Sequence, residues 1–172
     1  YFTQEESLKI AECLKSGWVA QGPRVAEFEK AVAAYEGTGY GVATTSCTTA
    51  LHLLMAALGL HEGQDVLVPS FTFVATANAV EYTGATAVLV DVMTDTYCLD
   101  VGFLERFIEE NYCRRDGGMF NKCTGNHLFG VVAVNLFGMC ADIPAVNALA
   151  RAYSMQVIED SACALGASID GV

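Results

Sequence analysis

Basic residues are scarce in this chain. Its 172 residues carry nine Lys plus Arg against twenty Asp plus Glu, a net charge of −11. Such a sequence cannot neutralise a run of phosphates, which excludes nucleic-acid binding as a function class. Lys and Arg are also scattered, and their one close pair, Arg114-Arg115, falls in a loop-like stretch. Long apolar runs are missing too. One charge-free stretch, residues 124–141, is interrupted by Gly125, Asn126, His127, Asn135 and Gly138. It reads as a buried strand with its loops, not as a membrane span, and the protein is expected to be soluble. There is no internal repeat, heptad or low-complexity tract, no Cys-x-x-Cys pair, and no Gly-x-Gly-x-x-Gly after the first strand-like run. Zinc-ribbon, coiled-coil and generic dinucleotide-binding readings therefore lose their support.

The seven cysteines, at 13, 47, 98, 113, 123, 140 and 163, have no metal-like spacing and no local His partner. Their odd number and the lack of a signal-peptide pattern lead us to expect reduced, mostly buried thiols in a cytoplasmic protein. Apolar residues make up 53% of the chain and charged residues 17%, which argues against disorder and for one domain with a sizeable core.

Helix and strand patterns alternate. Residues 5–16 carry an apolar stripe (Leu8, Ala11, Leu14) stopped by Gly17, and residues 24–35 return to helical spacing with Val25, Phe28, Val32 and Tyr35. Helices are also expected at 50–58, 73–82, 102–111 and 143–153. Strands are expected at 40–45, 65–69, 85–92, 131–136 and 156–159, and residues 112–126 read as an irregular loop without an assigned function. Strands separated by helices imply an α/β fold, a parallel-rich sheet flanked by helices, with the strand carboxyl ends on one rim.

Three features fall on that rim. Ser46, Thr48 and Thr49 lie where the first expected strand hands over to a helix, a place suited to a phosphate or to an ordinary N-cap. Phe71 and Phe73, in Pro69-Ser70-Phe71-Thr72-Phe73-Val74-Ala75-Thr76, crowd a strand-to-helix junction where they could stack on a flat ring or pack the core. Asp160 ends the apolar run Met155-Gln156-Val157-Ile158-Glu159 and could cap the next helix, bind a ribose or metal, or hold a ring nitrogen. A single ligand with a phosphate, a flat ring and a basic ring nitrogen would satisfy all three, and pyridoxal 5'-phosphate is such a ligand.

At this point the sequence resembles a known family, the DegT/DnrJ/EryC1/StrS sugar-nucleotide aminotransferases, built on the fold-type I scaffold. The resemblance runs through Ser16-Gly17-Trp18, Gly22-Pro23, Phe28-Glu29, Thr45-Ser46-Cys47-Thr48-Thr49-Ala50-Leu51-His52, Pro69 to Phe73, Ala75-Thr76-Ala77-Asn78, Val90-Asp91-Val92, Asn135-Leu136-Phe137-Gly138, Ala141-Asp142, Val157 to Ala162 and Gly166-Ala167. It implies that Thr48 and Thr49 hold the phosphate of pyridoxal 5'-phosphate, that Phe73 stacks on the ring, and that Asp160 pairs with the pyridine nitrogen. Cys163 stands where the family usually has Gln or His near the ring's phenolic oxygen, and a thiol is a poor hydrogen-bonding group. Ser46-Cys47-Thr48 replaces the commoner Ser-Gly-Thr.

The resemblance further implies a nucleotide-linked keto sugar as substrate, glutamate or glutamine as amino donor, and a homodimer, with neither nucleic acid nor membrane as partner. The family's catalytic lysine would fall beyond Val172. The four lysines present, Lys9, Lys15, Lys30 and Lys122, stand outside that context and read as solvated charges. Residues 1–172 are therefore expected to be the N-terminal part of the cofactor-binding large domain, without the lysine segment or the small C-terminal domain, and inactive alone. Two alternatives stay open: a sugar dehydratase of the same fold, and a non-catalytic ligand-binding paralogue.

Overall fold

The computed structural model describes residues 2–169. The expected lysine segment beyond Val172 lies outside them. The chain divides into two compact units, one ending at Thr45 and the other beginning at Ser46.

The first unit holds two helices, α1 (Gln4–Ser16) and α2 (Pro23–Tyr35). Thr3 and Glu6 form a reciprocal capping box at the start of α1, and Gly17 ends it at φ 73°, in the left-handed region where a side chain would be strained. Pro23 opens α2, where its missing N–H costs nothing. The connector between them is fixed by Trp18, whose indole N–H donates to the Gln21 carbonyl at 2.8 Å. A Cβ on Gly22 would sit 2.2 Å from that indole nitrogen, so only glycine fits. Residues 40–45, expected as the first strand, join no ladder among the described residues. β-prone residues make a strand only when a neighbour takes their backbone groups, and here the Ala43 N–H goes to the Glu29 carboxylate at 2.8 Å.

The second unit is built on a mixed six-stranded sheet. Its elements in chain order are α3 (Cys47–Ala57), β1 (Gln64–Pro69), α4 (Ala75–Glu81), β2 (Thr86–Val90), α5 (Val101–Asn111), β3 (Tyr112–Arg115), β4 (Gly118–Asn121), β5 (His127–Val134), α6 (Ile143–Tyr153) and β6 (Gln156–Asp160). β2, β1, β5 and β6 run parallel in that order, with Val68 opposite Leu89, Leu67 opposite Val131 and Val134 opposite Asp160. β3 and β4 form an antiparallel hairpin joined to the start of β5 through Phe120 and His127. The loop expected over residues 112–126 is thus mostly a hairpin. Its strands are too short to show a period of two, and their pairing partner lies across a turn with Asp116 at φ 46° and Gly117 at φ 82°.

Alternation sorts the core onto two faces. Val66, Val68, Val132, Val134 and Ile158 pack with Leu51 and Met55 of α3 and Ala79 and Val80 of α4. Leu67, Val131 and Ala133 face the other way, against Leu104 and Ile108 of α5 and Val146 and Leu149 of α6. Gly130 lets β5 approach β6: a Cβ there would lie 2.6 Å from the Gln156 carbonyl oxygen.

Two further expectations need correction. All seven cysteines are free, but only Cys98 is buried, whereas Cys47, Cys123 and Cys163 are exposed. These three sit at a helix start and in turns. Lys122 is not a merely solvated charge, because its ammonium donates to the Glu109 and Glu110 carbonyls at 2.8 and 2.7 Å. It thereby satisfies the open carbonyl end of α5. Among the described residues no helix is long and apolar enough to cross a membrane.

Candidate functional site

The chain leaves β1 through α4 toward β2, and leaves β5 through α6 toward β6 on the opposite side. The strand order therefore reverses between β1 and β5, and α/β sheets bind ligands outside the strand carboxyl ends at such a point. A small cavity of about 120 Å³ opens there, lined among others by Cys47, Thr48, Thr72, Phe73, Thr76, Asn135, Asp160 and Cys163. Four of the five residues singled out from the sequence, Thr48, Phe73, Asp160 and Cys163, meet in this cleft. The fifth, Thr49, does not line it. Its N–H donates to the Ser46 hydroxyl at 3.2 Å, and the two hydroxyl oxygens lie 3.0 Å apart, so Ser46 acts as the N-cap of α3.

Asp160 ends β6 and is only 7% exposed. One carboxylate oxygen accepts from the Thr76 hydroxyl at 3.0 Å; the other accepts from the Ala162 N–H at 3.2 Å and faces the Cys47 thiol at 3.6 Å. All of these donors are neutral, and none of the ion pairs among the described residues includes Asp160. A buried carboxylate without a cation is costly unless a ligand supplies one. Although the residue as a whole is exposed, the Cys47 thiol is partly buried against Asp160, and that burial first, then the charge of Asp160, push it up from its ordinary value and keep it protonated.

Phe73 is 73% exposed, an unfavourable place for a phenyl ring unless something flat covers it. The opening turn of α3 brings its N–H groups and positive dipole end, with Thr48 beside them, to the same cleft. Asn135 ties the ends of β5 and β6 together. Its amide donates to Glu159 at 2.6 Å and Ser161 at 2.9 Å, and its oxygen accepts the Ala141 N–H at 2.8 Å. Outside the cleft lining, Phe71, Tyr97 and Phe137 cluster in tilted and edge-to-face contact with centroids 5.1–6.5 Å apart, and Tyr97 and Phe137 hold φ values of 59° and 54°.

Sequence reasoning missed Thr76 and Asn135 as site residues. Thr76 offered one signal: it stands three residues after Phe73, one turn along the helix start. Among the described residues, no group of His, Cys, Asp and Glu could hold a metal ion.

The donor set suits a flat, cationic, phosphate-bearing heterocycle. An apolar cavity of about 150 Å³ takes one benzene-sized ring, and this one, at about 120 Å³, is of that order.

Fold and cleft together define an α/β domain with a candidate ligand site at its switch point, and comparison with known proteins makes the class specific. Its structural neighbours are pyridoxal-phosphate-dependent aminotransferases of fold-type I. DesV of S. venezuelae, solved in complex with a ketimine intermediate, superposes with a TM-score of 0.81 at 33% identity over 94% of this chain and 39% of that one. The putative sugar aminotransferase Spr1654 of Streptococcus pneumoniae, in its PLP form, gives 0.80 at 27% identity over 96% and 42%. Among curated proteins, GDP-perosamine synthase of Caulobacter vibrioides is 37% identical over 163 residues, 94% of this chain and 40% of the relative. UDP-2-acetamido-2-deoxy-3-oxo-D-glucuronate aminotransferase of Pseudomonas aeruginosa is 36% identical over 162 residues, again 94% of this chain and 41% of the relative. The profile of the DegT/DnrJ/EryC1/StrS aminotransferase family matches residues 1–172, and the chain belongs to that family. It spans about 40% of the length of the curated relatives it matches.

Proposed function

We propose that this chain supplies the pyridoxal-phosphate-binding part of an enzyme that moves an amino group from glutamate or glutamine to a keto sugar carried on a nucleotide. The observation that carries this reading is Asp160: a buried carboxylate without a cation, opening into a cleft beside an exposed ring and a helix N-terminus. The names of the relatives above support the substrate class. Family resemblance also supports a cytoplasmic homodimer as the working form, and residues 1–172 as the N-terminal part of the large domain.

Bound there, the cofactor supplies an electron-withdrawing ring that acidifies the carbon next to the transferred nitrogen. The chain's own residues prepare that chemistry. Asp160 keeps a proton on the ring nitrogen. Phe73 covers one ring face and excludes water from it. Thr48, Thr49 and the first turn of α3 hold the phosphate through hydroxyls, N–H groups and dipole. Cys163 lines the cleft with a thiol, where it contributes bulk more than hydrogen bonding. No lysine lines the cleft among the described residues, so the amine that moves protons in the reaction is not one of its walls.

Pyridoxamine 5'-phosphate tests the binding without needing a lysine. The chain is expected to bind it saturably in equilibrium dialysis, and Asp160→Asn to weaken binding by about tenfold or more, the effect of losing a charge-assisted bond. Saturable binding that is indifferent to Asp160→Asn would sink the assignment.

A further inference from the structure

We propose that Thr76 is the positioning residue of this cleft, a single residue whose backbone and side chain together set the ring-covering Phe73 and the nitrogen-binding Asp160 relative to each other. The proposal rests on the pyridoxal-phosphate reading given above. A pyridine ring needs contacts in two directions at once, on its face and at its edge. Phe73 and Asp160 provide them from different elements, the loop after β1 and the end of β6, 87 positions apart in sequence (160 − 73).

Thr76 touches both. Its backbone N–H donates to the Phe73 carbonyl at 3.1 Å, closing the turn that presents the phenyl ring. Its hydroxyl donates to Asp160 at 3.0 Å, and the residue is 1% exposed, so water does not compete for that bond. The threonine hydroxyl has one proton and an ionised carboxylate can only accept, so that proton is committed to Asp160. The Thr72 hydroxyl, 3.1 Å from that of Thr76, must then donate to it. Thr72 to Thr76 to Asp160 is thus a directed row of hydrogen bonds that ends on the carboxylate. It occupies one carboxylate oxygen of Asp160, while the other accepts the longer contacts from the Ala162 N–H and the Cys47 thiol.

The test follows bound pyridoxamine 5'-phosphate by dialysis and by the pH dependence of its absorbance, which reports the proton on its ring nitrogen. Thr76→Val keeps the shape and removes the hydroxyl. It is expected to weaken binding by about tenfold, in line with a buried hydrogen bond to a charged group. It should also move the spectral transition to higher pH, because a carboxylate that has lost a donor is a stronger base and holds the ring proton more tightly. Thr76→Ser should restore both readouts to within about threefold of the parent, the hydroxyl being what matters. Weaker binding with an unmoved transition, or failure of Thr76→Ser to rescue, reduces Thr76 to a packing residue and overturns the proposal. Unchanged binding in Thr76→Val overturns it while leaving the cofactor reading intact. If the parent chain itself shows no saturable binding, the cofactor reading fails first and the proposal with it. Should Thr76→Val fail to fold by circular dichroism, Thr72→Val decides: a smaller shift in the same direction supports the relay, and no shift refutes it.

Discussion

Asp65 and Asp160 are both buried, at 1% and 7% exposure, and both accept only from neutral donors, but they lie at opposite ends of the parallel strands. Asp65 is at the start of β1. One of its oxygens accepts from the Tyr112 hydroxyl and the Asn121 amide, the other from the Asn126 amide, all at 2.8 Å. Those three donors come from the hairpin and the turn after it, so the carboxylate pins that segment to the sheet. Asp160 receives one good hydroxyl bond, a longer backbone contact and a distant thiol, and it lines a cleft. The same functional group is saturated at one end and left with unmet demand at the other. Saturation makes a structural anchor, and unmet demand beside a cavity makes a binding site.

The comparison can be broken most directly by the same substitution at both ends. Asp65→Asn would turn an amide against two amide donors and a phenol, and should cost about 3 kcal/mol of stability in urea denaturation. Asp160→Asn removes a buried charge that lacks a cation and should stay within about 1 kcal/mol of the parent. Equal losses would erase the distinction drawn here.

A smaller effect is expected from Tyr112→Phe, which deletes one of the three donors and should cost about 1 kcal/mol. Its pH dependence is more telling. Burial first, and then the bond to Asp65, push the Tyr112 hydroxyl above its ordinary value. The folded state therefore favours the neutral phenol. This contribution is intact below about pH 10, where the unfolded tyrosine begins to ionise, and is lost as pH rises from there toward the raised folded value. The parent should lose stability above about pH 10 more steeply than Tyr112→Phe, in parallel melts across that range.

The smallest effect concerns the thiols. Asp160 helps to hold the Cys47 thiol protonated, so Asp160→Asn should speed its alkylation by iodoacetamide a few-fold, on the order expected from thiolate fraction. Cys123, exposed in the turn after the hairpin, should be unaffected, as peptide mapping of the labelled protein can check.

Local signals carried much of this protein. The helix over residues 143–153 is bounded as its Asp142 cap, Pro144 and following Ser154 suggest. Asp160 falls at the end of its strand because the apolar run before it must be buried and the charge must reach a rim. Phe73 and Cys163 converge because strand carboxyl ends share that rim, whereas Thr48 reaches them from the start of α3, the strand expected before it having failed to pair. Other features were invisible for a common reason. Residues 40–45 look like a strand but pair with nothing among the described residues, while 112–121 do not look like strands but pair with each other. Strand formation is decided by a distant partner, not by propensity.

The amino-acid sequence by itself determined the alternation of helices and buried strands, the caps that bound the helices, and the carboxylate, ring and hydroxyls placed at strand and helix ends. These depend on residues a few positions apart. Only the tertiary structure decided the pairing order that makes a cleft between β1 and β5, the closure of three donors on Asp65, and the bond by which Thr76 joins Phe73 to Asp160. Each of those brings together groups distant in sequence, and hydrogen bonding between them exists only once the sheet has formed.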